Sequence, residues 1–214
     1  MYIDLHTHHP QNNANGISIV NVFPQQESLG NYFSAGIHPW KITPAWNNEL
    51  EFLDQKLQQS ACLALGECGL DKAIETDLTW QTEVFKTQLD LNKTYQKPVI
   101  IHSVRAHQEI LNIQREMKYH LPFFFHGYTK NEVLLEQILK QKNHVSFGIH
   151  LLKKQNLQTI FANLSEDELF LETDDAQIAI DEIYQTAADI RKISVERLQE
   201  IIQRNVENVL KIKF

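Results

Sequence analysis

The sequence predicts an α/β fold of the (β/α)₈, TIM-barrel-like class. Three observations predict it: short apolar runs recur along the chain, helical patterns separate the later runs, and most runs end in a polar or charged residue. Runs that are continuously apolar, rather than alternating, are typical of strands buried on both faces of a parallel sheet. Strands that alternate with helices form βαβ units, and eight such units form a barrel.

The predicted strands are rich in β-branched and aromatic residues, which favour extended structure. In chain order they are YIDLHTH, GISIVNVF, YFSAGIHPW, CLALGECGLD, KPVIIHS, LPFFFHGY, HVSFGI and LFLETDD. These eight runs supply the eight strands that the barrel requires.

Helical spacing begins after the third run. Leu50, Leu53 and Leu57 share one face of a helix that follows Pro44, as expected for a helix packed on a sheet. The same spacing predicts helices within 80–95, 110–117, 135–139, 157–164 and 183–187. A last helix is predicted to begin after Ser194, a residue type that favours the N-cap position.

Two connections in the first quarter of the chain are short. The segment HPQNNAN separates the first two runs and PQQESLGN separates the next two, whereas a parallel crossover needs at least about 10–12 residues. We therefore expect abbreviated connections without covering helices, or a strand bent away from parallel. The bare flank would be covered by a terminus or by the second subunit of a homodimer.

Size and composition favour one domain over residues 1–214. Single barrels commonly reach about 200–250 residues. The net charge of −7 argues against salt-driven affinity for nucleic acid over the whole protein, which needs a basic face, but leaves room for a local basic rim around a site. Cys62 and Cys68 fall too far apart on one predicted strand to pair, and the N-terminus shows no secretory leader. No apolar run approaches the roughly 20 residues that span a bilayer, so we expect a cytoplasmic protein without a membrane partner.

Ionisable side chains fall at the ends of the predicted strands. They are His6, His8, His38, Glu67, His102, His126 and Asp174. Because the C-terminal ends of barrel strands converge on one face, these groups are expected to meet there. Burial without partners would be costly for each, and a divalent cation removes that cost because it binds imidazoles and carboxylates together. More than four ligands predict two ions, which would activate a water for phosphoryl displacement.

Seven motifs in this order resemble the TatD-related DNase family of metal-dependent hydrolases. They are DLHTH at 4–8, AGIHPW at 35–40, LGECGLD at 65–71, PVIIHSVRA at 98–106, FFHG at 124–127, LFLETD at 169–174 and RNVENVL at 204–210. The helix that precedes the fifth strand in that family is also resembled by the segment with Gln81, Phe85, Gln88, Leu89 and Leu91. The resemblance covers nearly the whole chain and implies a metal-dependent deoxyribonuclease, exonuclease or phosphodiesterase.

The resemblance also implies roles for individual residues. One divalent ion would be held by His6, His8, Glu67 and Asp174, and a second by Glu67, His102 and His126. Glu67 would bridge the two ions, which are expected to be Mg²⁺, Mn²⁺ or Zn²⁺, and Asp174 would also take a proton from the attacking water.

The expected substrates are DNA ends, oligonucleotides or small phosphodiesters. His38 is expected to meet charge on the leaving group. Arg105 and Lys130 are placed to contact phosphate, while Trp40 and Tyr128 are placed to stack on a base. A simpler alternative is that the cations are solvated loop residues and that Trp40 packs on the barrel rim.

Two other functions remain open from the sequence. The first is hydrolysis of a C–N bond, as in the wider amidohydrolase superfamily, many of whose members bridge two metals through a carbamylated lysine. No lysine ends a predicted strand here, which favours phosphoester chemistry. The second is a non-catalytic barrel that keeps the metals for structure, and the complete ligand set argues against it.

Overall fold

The computed structural model describes residues 1–9, 16–27 and 30–214. They form two compact units, one comprising Met1–Val20 with Phe125–Phe214 and the other Asn21–Phe124. We call the first the terminal unit and the second the central unit. The assignment of residues 1–214 to a single domain stays a prediction.

Seven strands and seven α-helices are present in the described residues. The strands are β1 (Tyr2–Thr7), β2 (Gly16–Val22), β3 (Tyr32–Ala35), β4 (Cys62–Asp71), β5 (Val99–Val104), β6 (Phe123–Phe125) and β7 (His144–Val145). The helices are α1 (Trp46–Leu57), α2 (Leu78–Tyr95), α3 (His107–Glu116), α4 (Glu132–Lys140), α5 (Gln155–Asn163), α6 (Ile180–Arg191) and α7 (Val195–Leu210). Every helix that the periodicity predicts is present, and Ser194 caps α7 by accepting a hydrogen bond from the backbone N–H of Arg197.

The central unit contains the parallel core of β3, β4 and β5. Strand β4 pairs in parallel with β3 on one side and with β5 on the other. All of β4 is buried, as a continuous apolar run predicts for a strand covered on both faces. Helices α1 and α2 pack against β4, and the two cysteines of β4 are buried and free.

In the terminal unit, β1 pairs in parallel with the first part of β2. This pairing excludes a strand bent away from parallel at the first of the two short connections. Helices α6 and α7 pack against β1, and the Tyr184 hydroxyl both donates to the Ile3 carbonyl and accepts from the Ile3 N–H, each at 3.0 Å. Strand β1 is therefore covered by the C-terminal helices, while the homodimer stays a prediction.

The eighth predicted strand is irregular. Its residues make only isolated parallel bridges, between Phe147 and Leu171 and between Thr7 and Asp174. The N–H of Thr173 is bonded to the Asp4 side-chain carboxylate instead of to a backbone carbonyl. Asp174 has a φ of 56°, which lies outside the extended region. These two features interrupt the regular strand pattern where the run reaches its acidic residues.

The short connections of the first quarter agree with the predicted abbreviation. Between β1 and α1, the described residues contain no α-helix. Residues 10–15 and 28–29 of the two connections lie outside the described part of the chain. Among the described residues, no helix combines the length and the apolar character that a bilayer span requires.

Candidate metal centres

The central unit brings together three predicted site residues, His38, Glu67 and His102. Glu67 Oε1 lies 2.6 Å from His102 Nδ1 and 3.2 Å from His38 Nε2. The two ring nitrogens are themselves 3.1 Å apart. All three side chains are buried, and Glu67 is only 2% exposed. We call these three residues the central cluster.

Two glycines allow the backbone around Glu67 to lie against β5. Gly66 has a φ of 126° and Gly69 a φ of 148°. A Cβ atom at Gly66 would collide with the Ile100 carbonyl, and one at Gly69 would collide with the His102 carbonyl. Glycine adopts such φ values without the steric penalty of a side chain. The motif LGECGLD therefore lets β4 carry Glu67 into contact with His102.

Asp71 and Trp40 lie next to the central cluster. The Asp71 Oδ2 atom accepts a hydrogen bond from the Trp40 indole N–H at 2.6 Å and lies 3.2 Å from His102 Nε2. Asp71 Oδ1 accepts from the Ala73 N–H at 2.8 Å. Burial alone would raise the pKa of Asp71, but the hydrogen bonds from Trp40, Ala73 and His102 outweigh it and lower the pKa below its usual value. Asp71 therefore stands as a carboxylate beside the cluster.

Two glutamines of α2 hold the backbone at the ends of β3 and β4. The Gln88 amide accepts from the Ile37 N–H at 2.7 Å and donates to the Ile37 carbonyl at 3.1 Å. Gln81 makes the equivalent pair with Asp71, at 2.8 Å and 2.9 Å. Both amides are buried, so these bonds are shielded from water. The chain is fixed directly before His38 and at Asp71.

The terminal unit brings together the other four predicted ligands. His6 Nε2 and His8 Nε2 lie 3.4 Å and 3.5 Å from Asp174 Oδ1, and His126 Nδ1 lies 3.7 Å from Asp174 Oδ2. His126, which the sequence analysis grouped with Glu67 and His102, lies beside Asp174, and the ion to which it belongs stays a prediction. The His6 side chain is fully buried, but those of His8 and Asp174 are about a third exposed, at 31% and 32%. We call these four residues the terminal cluster.

Asp4, which the sequence analysis did not select, supports the backbone before Asp174. Its carboxylate accepts from the Thr173 N–H at 2.9 Å and from the Thr173 hydroxyl at 2.6 Å. The Thr173 hydroxyl also lies 2.9 Å from that of Thr7. Burial raises the pKa of Asp4 to about 7, although the bonds from Thr173 oppose this rise. Its position in the motif DLHTH was the available signal.

Glu172 is a second acid that the sequence analysis missed. It is fully buried, and its Oε1 atom lies 3.8 Å from His126 Nδ1. The carboxylate accepts from the Gly127 N–H and from the Ser146 hydroxyl, each at 2.5 Å. Glu172 therefore connects the backbone that follows His126 to β7 and its continuation.

The side chains of both clusters fit a divalent cation. In the central cluster, one ligand atom from each residue lies within 4.8 Å of the others, and the same holds for His6, His126 and Asp174. Imidazole nitrogens and carboxylate oxygens are the usual protein ligands of Zn²⁺, and Mn²⁺ and Mg²⁺ also bind carboxylates. Each unit thus contains imidazole and carboxylate donors, and the assignment of individual ligands to the two ions stays a prediction.

The predicted substrate contacts have different surroundings. Trp40 is 60% exposed and lies edge-on to the rings of His38 and His102, so it keeps a free aromatic surface. Arg105 and Lys130 are exposed and remain candidates for phosphate contacts. The prediction for Tyr128 is wrong: the ring is buried against Phe147 and its hydroxyl donates to the Asn131 carbonyl. It therefore has no surface on which a base could stack.

The family model described as TatD related DNase matches residues 18–211 of this chain. The chain belongs to the TatD related DNase family. Among its relatives are an uncharacterized metal-dependent hydrolase of Haemophilus influenzae, 28% identical over 157 residues, and the 3'-5' ssDNA/RNA exonuclease TatD of Edwardsiella piscicida, 29% identical over 147 residues. These matches cover 69% and 66% of this chain, but only 60% and 56% of the relatives.

A solved structure shows the fold of this TatD-family chain. The crystal structure of YJJV, a TatD homologue from Escherichia coli K12, matches it with a TM-score of 0.82 over 99% of this chain and 98% of that one. The two sequences are 20% identical. The predicted TIM-barrel-like α/β class is confirmed.

Proposed function

We propose that this TatD-family chain is a divalent-metal-dependent hydrolase that cleaves phosphoester bonds. The observation that carries the proposal is the presence, in each unit, of imidazole and carboxylate ligand atoms within 4.8 Å of one another. The name of the Edwardsiella relative, a 3'-5' ssDNA/RNA exonuclease, supports DNA ends or oligonucleotides as substrates, with small phosphodiesters as simpler analogues.

The proposed ligands are drawn from the two clusters. In the terminal unit they are His6, His8, His126 and Asp174, and in the central unit they are Glu67 and His102. When bound, a divalent ion lowers the pKa of water and offsets negative charge on a phosphate. The number of ions and the bridging role of Glu67 stay predictions, as do the homodimer and the cytoplasmic location.

Asp174 is proposed as the proton acceptor. Its side chain is 32% exposed, so water can approach it. A carboxylate that takes a proton from an attacking water typically contributes about 10²–10⁴-fold to the rate. The Asp4 carboxylate accepts hydrogen bonds from the N–H and the hydroxyl of the neighbouring Thr173. These bonds hold the backbone from which the Asp174 carboxylate projects.

His38 is proposed as a hydrogen-bond donor to the leaving oxygen. Its Nδ1 atom accepts from the Trp40 backbone N–H at 3.1 Å. A neutral imidazole whose Nδ1 is an acceptor carries its hydrogen on Nε2. The nitrogen that faces Glu67 is therefore the one that can donate. Arg105 and Lys130 are proposed to bind phosphate, and the exposed ring of Trp40 to stack on a base.

The test uses the full chain after removal of metals with a chelator. Mg²⁺, Mn²⁺ or Zn²⁺ is added back, and three substrates are compared: end-labelled single-stranded DNA, bis-p-nitrophenyl phosphate and a cyclic amide. We expect metal-dependent cleavage of the first two and no hydrolysis of the amide. A protein that binds the metals but cleaves no phosphodiester would contradict the proposal, and amide hydrolysis would favour the C–N alternative.

A further inference from the structure

Asp71 joins an exposed aromatic side chain to a proposed metal ligand. Its Oδ2 atom accepts from the Trp40 indole N–H at 2.6 Å and lies 3.2 Å from His102 Nε2. The Asp71 side chain is buried, at 2% exposure. One carboxylate oxygen is therefore shared between Trp40 and His102. Because the carboxylate is buried, its hydrogen bonds are stronger than they would be in water.

The contact with Asp71 matches the ring state in which His102 binds a cation through Nδ1. A carboxylate only accepts hydrogen bonds, so a hydrogen on His102 Nε2 is donated to Asp71 Oδ2, which is 3.2 Å away. His102 Nδ1 lies 2.6 Å from Glu67 Oε1, and a cation bound there takes the Nδ1 lone pair and leaves the ring hydrogen on Nε2. A lone pair and a carboxylate oxygen side by side are the donor pair that a cation binds.

Asp71 is itself held on all sides. Its Oδ1 atom accepts from the Ala73 N–H at 2.8 Å, and its backbone N–H and carbonyl are both bonded to the buried Gln81 amide. Because the backbone and both carboxylate oxygens are bonded, the position of Oδ2 is fixed. The orientation of the His102 ring follows from it.

We propose that Asp71 is a positioning residue that holds His102 with hydrogen on Nε2 and with Nδ1 turned toward Glu67. The same oxygen anchors Trp40, whose exposed ring thereby has a fixed orientation. The inference rests on the proposed function only in taking His102 as a metal ligand. Carboxylates that hold ligating histidines in this way typically contribute about 10–100-fold to metal affinity.

The decisive variant is Asp71→Asn. If the asparagine side-chain oxygen keeps the hydrogen bond from the Ala73 N–H, the asparagine NH₂ group faces the Trp40 N–H and His102 Nε2. Two hydrogen-bond donors then face each other at Trp40. The same NH₂ group donates to His102 Nε2, which moves the ring hydrogen to Nδ1. We expect the Mn²⁺ affinity, measured by titration calorimetry without substrate, to fall by about 10–100-fold. Trp40→Phe removes the indole N–H but leaves the contact between Asp71 and His102 in place. This variant should keep the wild-type Mn²⁺ affinity.

The matched control is Asp90→Asn, which changes an exposed aspartate of α2 whose carboxylate is bonded to Lys93. It should bind Mn²⁺ as the wild type does. Circular dichroism of each variant shows whether it is folded. Wild-type Mn²⁺ affinity in a folded Asp71→Asn variant would overturn the inference.

A second measurement needs no variant. Long-range ¹H–¹⁵N NMR spectra of the wild-type full chain, loaded with Zn²⁺ as a diamagnetic probe, should show His102 with hydrogen on Nε2 and the metal on Nδ1. Hydrogen on Nδ1, or no Zn²⁺ at His102, would overturn the inference even if Asp71→Asn fails to fold. These readouts do not require catalysis, so a protein that binds metal in this way but cleaves no phosphodiester would contradict the proposed function alone.

Discussion

The central and terminal clusters contain the same kinds of ligand but differ in how closely the ligands approach and in what holds them. In the central cluster, ligand atoms lie 2.6–3.2 Å apart, and hydrogen-bonded side chains such as Asp71 surround them. In the terminal cluster, ion-pair distances are 3.4–3.7 Å, and Asp174 is partly open to solvent. Asp174 is supported through the adjoining backbone, where the Thr173 N–H is bonded to Asp4.

This difference indicates a division of roles between the clusters. A carboxylate and imidazoles in dry surroundings hold one another strongly, and removal of one partner leaves an uncompensated buried group. Such a cluster suits the retention of a metal ion. A carboxylate that water can reach suits proton transfer. The central cluster is therefore expected to govern metal affinity and the terminal cluster to govern turnover.

The largest effect is expected from Asp174→Asn. Asparagine tolerates the positive φ at this position, so the fold should be retained while the proton acceptor is lost. We expect kcat on bis-p-nitrophenyl phosphate, with saturating Mn²⁺, to fall by about 10²–10⁴-fold. Asp175→Asn, at the exposed neighbouring aspartate, is the control and should retain the wild-type rate. Full turnover by Asp174→Asn would break the proposed division of roles.

Glu67→Gln should act on metal binding first. The substitution removes the charge of a carboxylate that is 2% exposed and lies between two imidazoles. Because Glu67 is a proposed ligand, its loss should lower the Mn²⁺ affinity by more than the about 10–100-fold typical of a supporting residue. Titration calorimetry measures the affinity, with Glu51→Gln, at an exposed glutamate of α1, as control. An unchanged affinity would show that the central cluster does not hold the ion.

His144, which lies outside both clusters, should make stability depend on pH through burial, without any contribution from metal binding. Burial lowers the pKa of His144 from 6.5 to about 4, although Asp167 opposes this shift. Below pH 6.5 the unfolded chain takes up a proton that the folded chain does not, so the free energy of unfolding decreases as the pH falls toward 4. Between pH 7 and pH 5 the loss should be about 2 kcal/mol.

Urea unfolding in the presence of a chelator measures this dependence for the wild type and for His144→Gln, which should lose this part of it. His120→Gln, at an exposed histidine, should behave as the wild type does. The same pH dependence in His144→Gln and in the wild type would assign the effect to the cluster histidines instead.

An effect of similar size is expected from Ser146→Ala, which tests side-chain support in the terminal unit. The Ser146 hydroxyl donates to the fully buried Glu172 carboxylate at 2.5 Å. Its loss should lower the free energy of unfolding by about 1–3 kcal/mol, because a buried acceptor loses its donor. Thermal unfolding measures the change, with Ser60→Ala, at an exposed serine in a turn, as control. A stability equal to that of the wild type would show that Glu172 does not depend on this bond.

The sequence predicted the secondary-structure elements and the ligand types better than it predicted the residues that hold the ligands in place. Apolar runs and helical spacing located β4 and all seven helices, because burial imposes these patterns directly. The placement of the predicted ligands at strand ends followed from the parallel arrangement. Asp71 and Glu172 were missed although both lie in recognised motifs, because a supporting acid differs from a solvated one only in its neighbours.

Two errors have local physical causes. Tyr128 was expected on the surface because it follows a strand end, but its N–H bonds to the Ser146 carbonyl and the ring turns inward. The eighth strand was expected to be regular, but the Asp4 carboxylate takes the N–H of Thr173. Both depend on contacts between residues far apart in the chain, which periodicity does not report.

The two glutamines of α2 that hold the backbone at strand ends, here called the glutamine clamps, limit where this chain can change in length. Gln81 and Gln88 lie about two helical turns apart, and each bonds to the end of a different strand. One residue inserted between them would rotate one amide by about 100° and shift it by about 1.5 Å relative to the other, so both clamps could not form together. Length variation among relatives, and the grafting of new loops by design, should therefore be confined to segments such as 42–45 and 74–75. The stretch from Gln81 to Gln88 should keep a constant length.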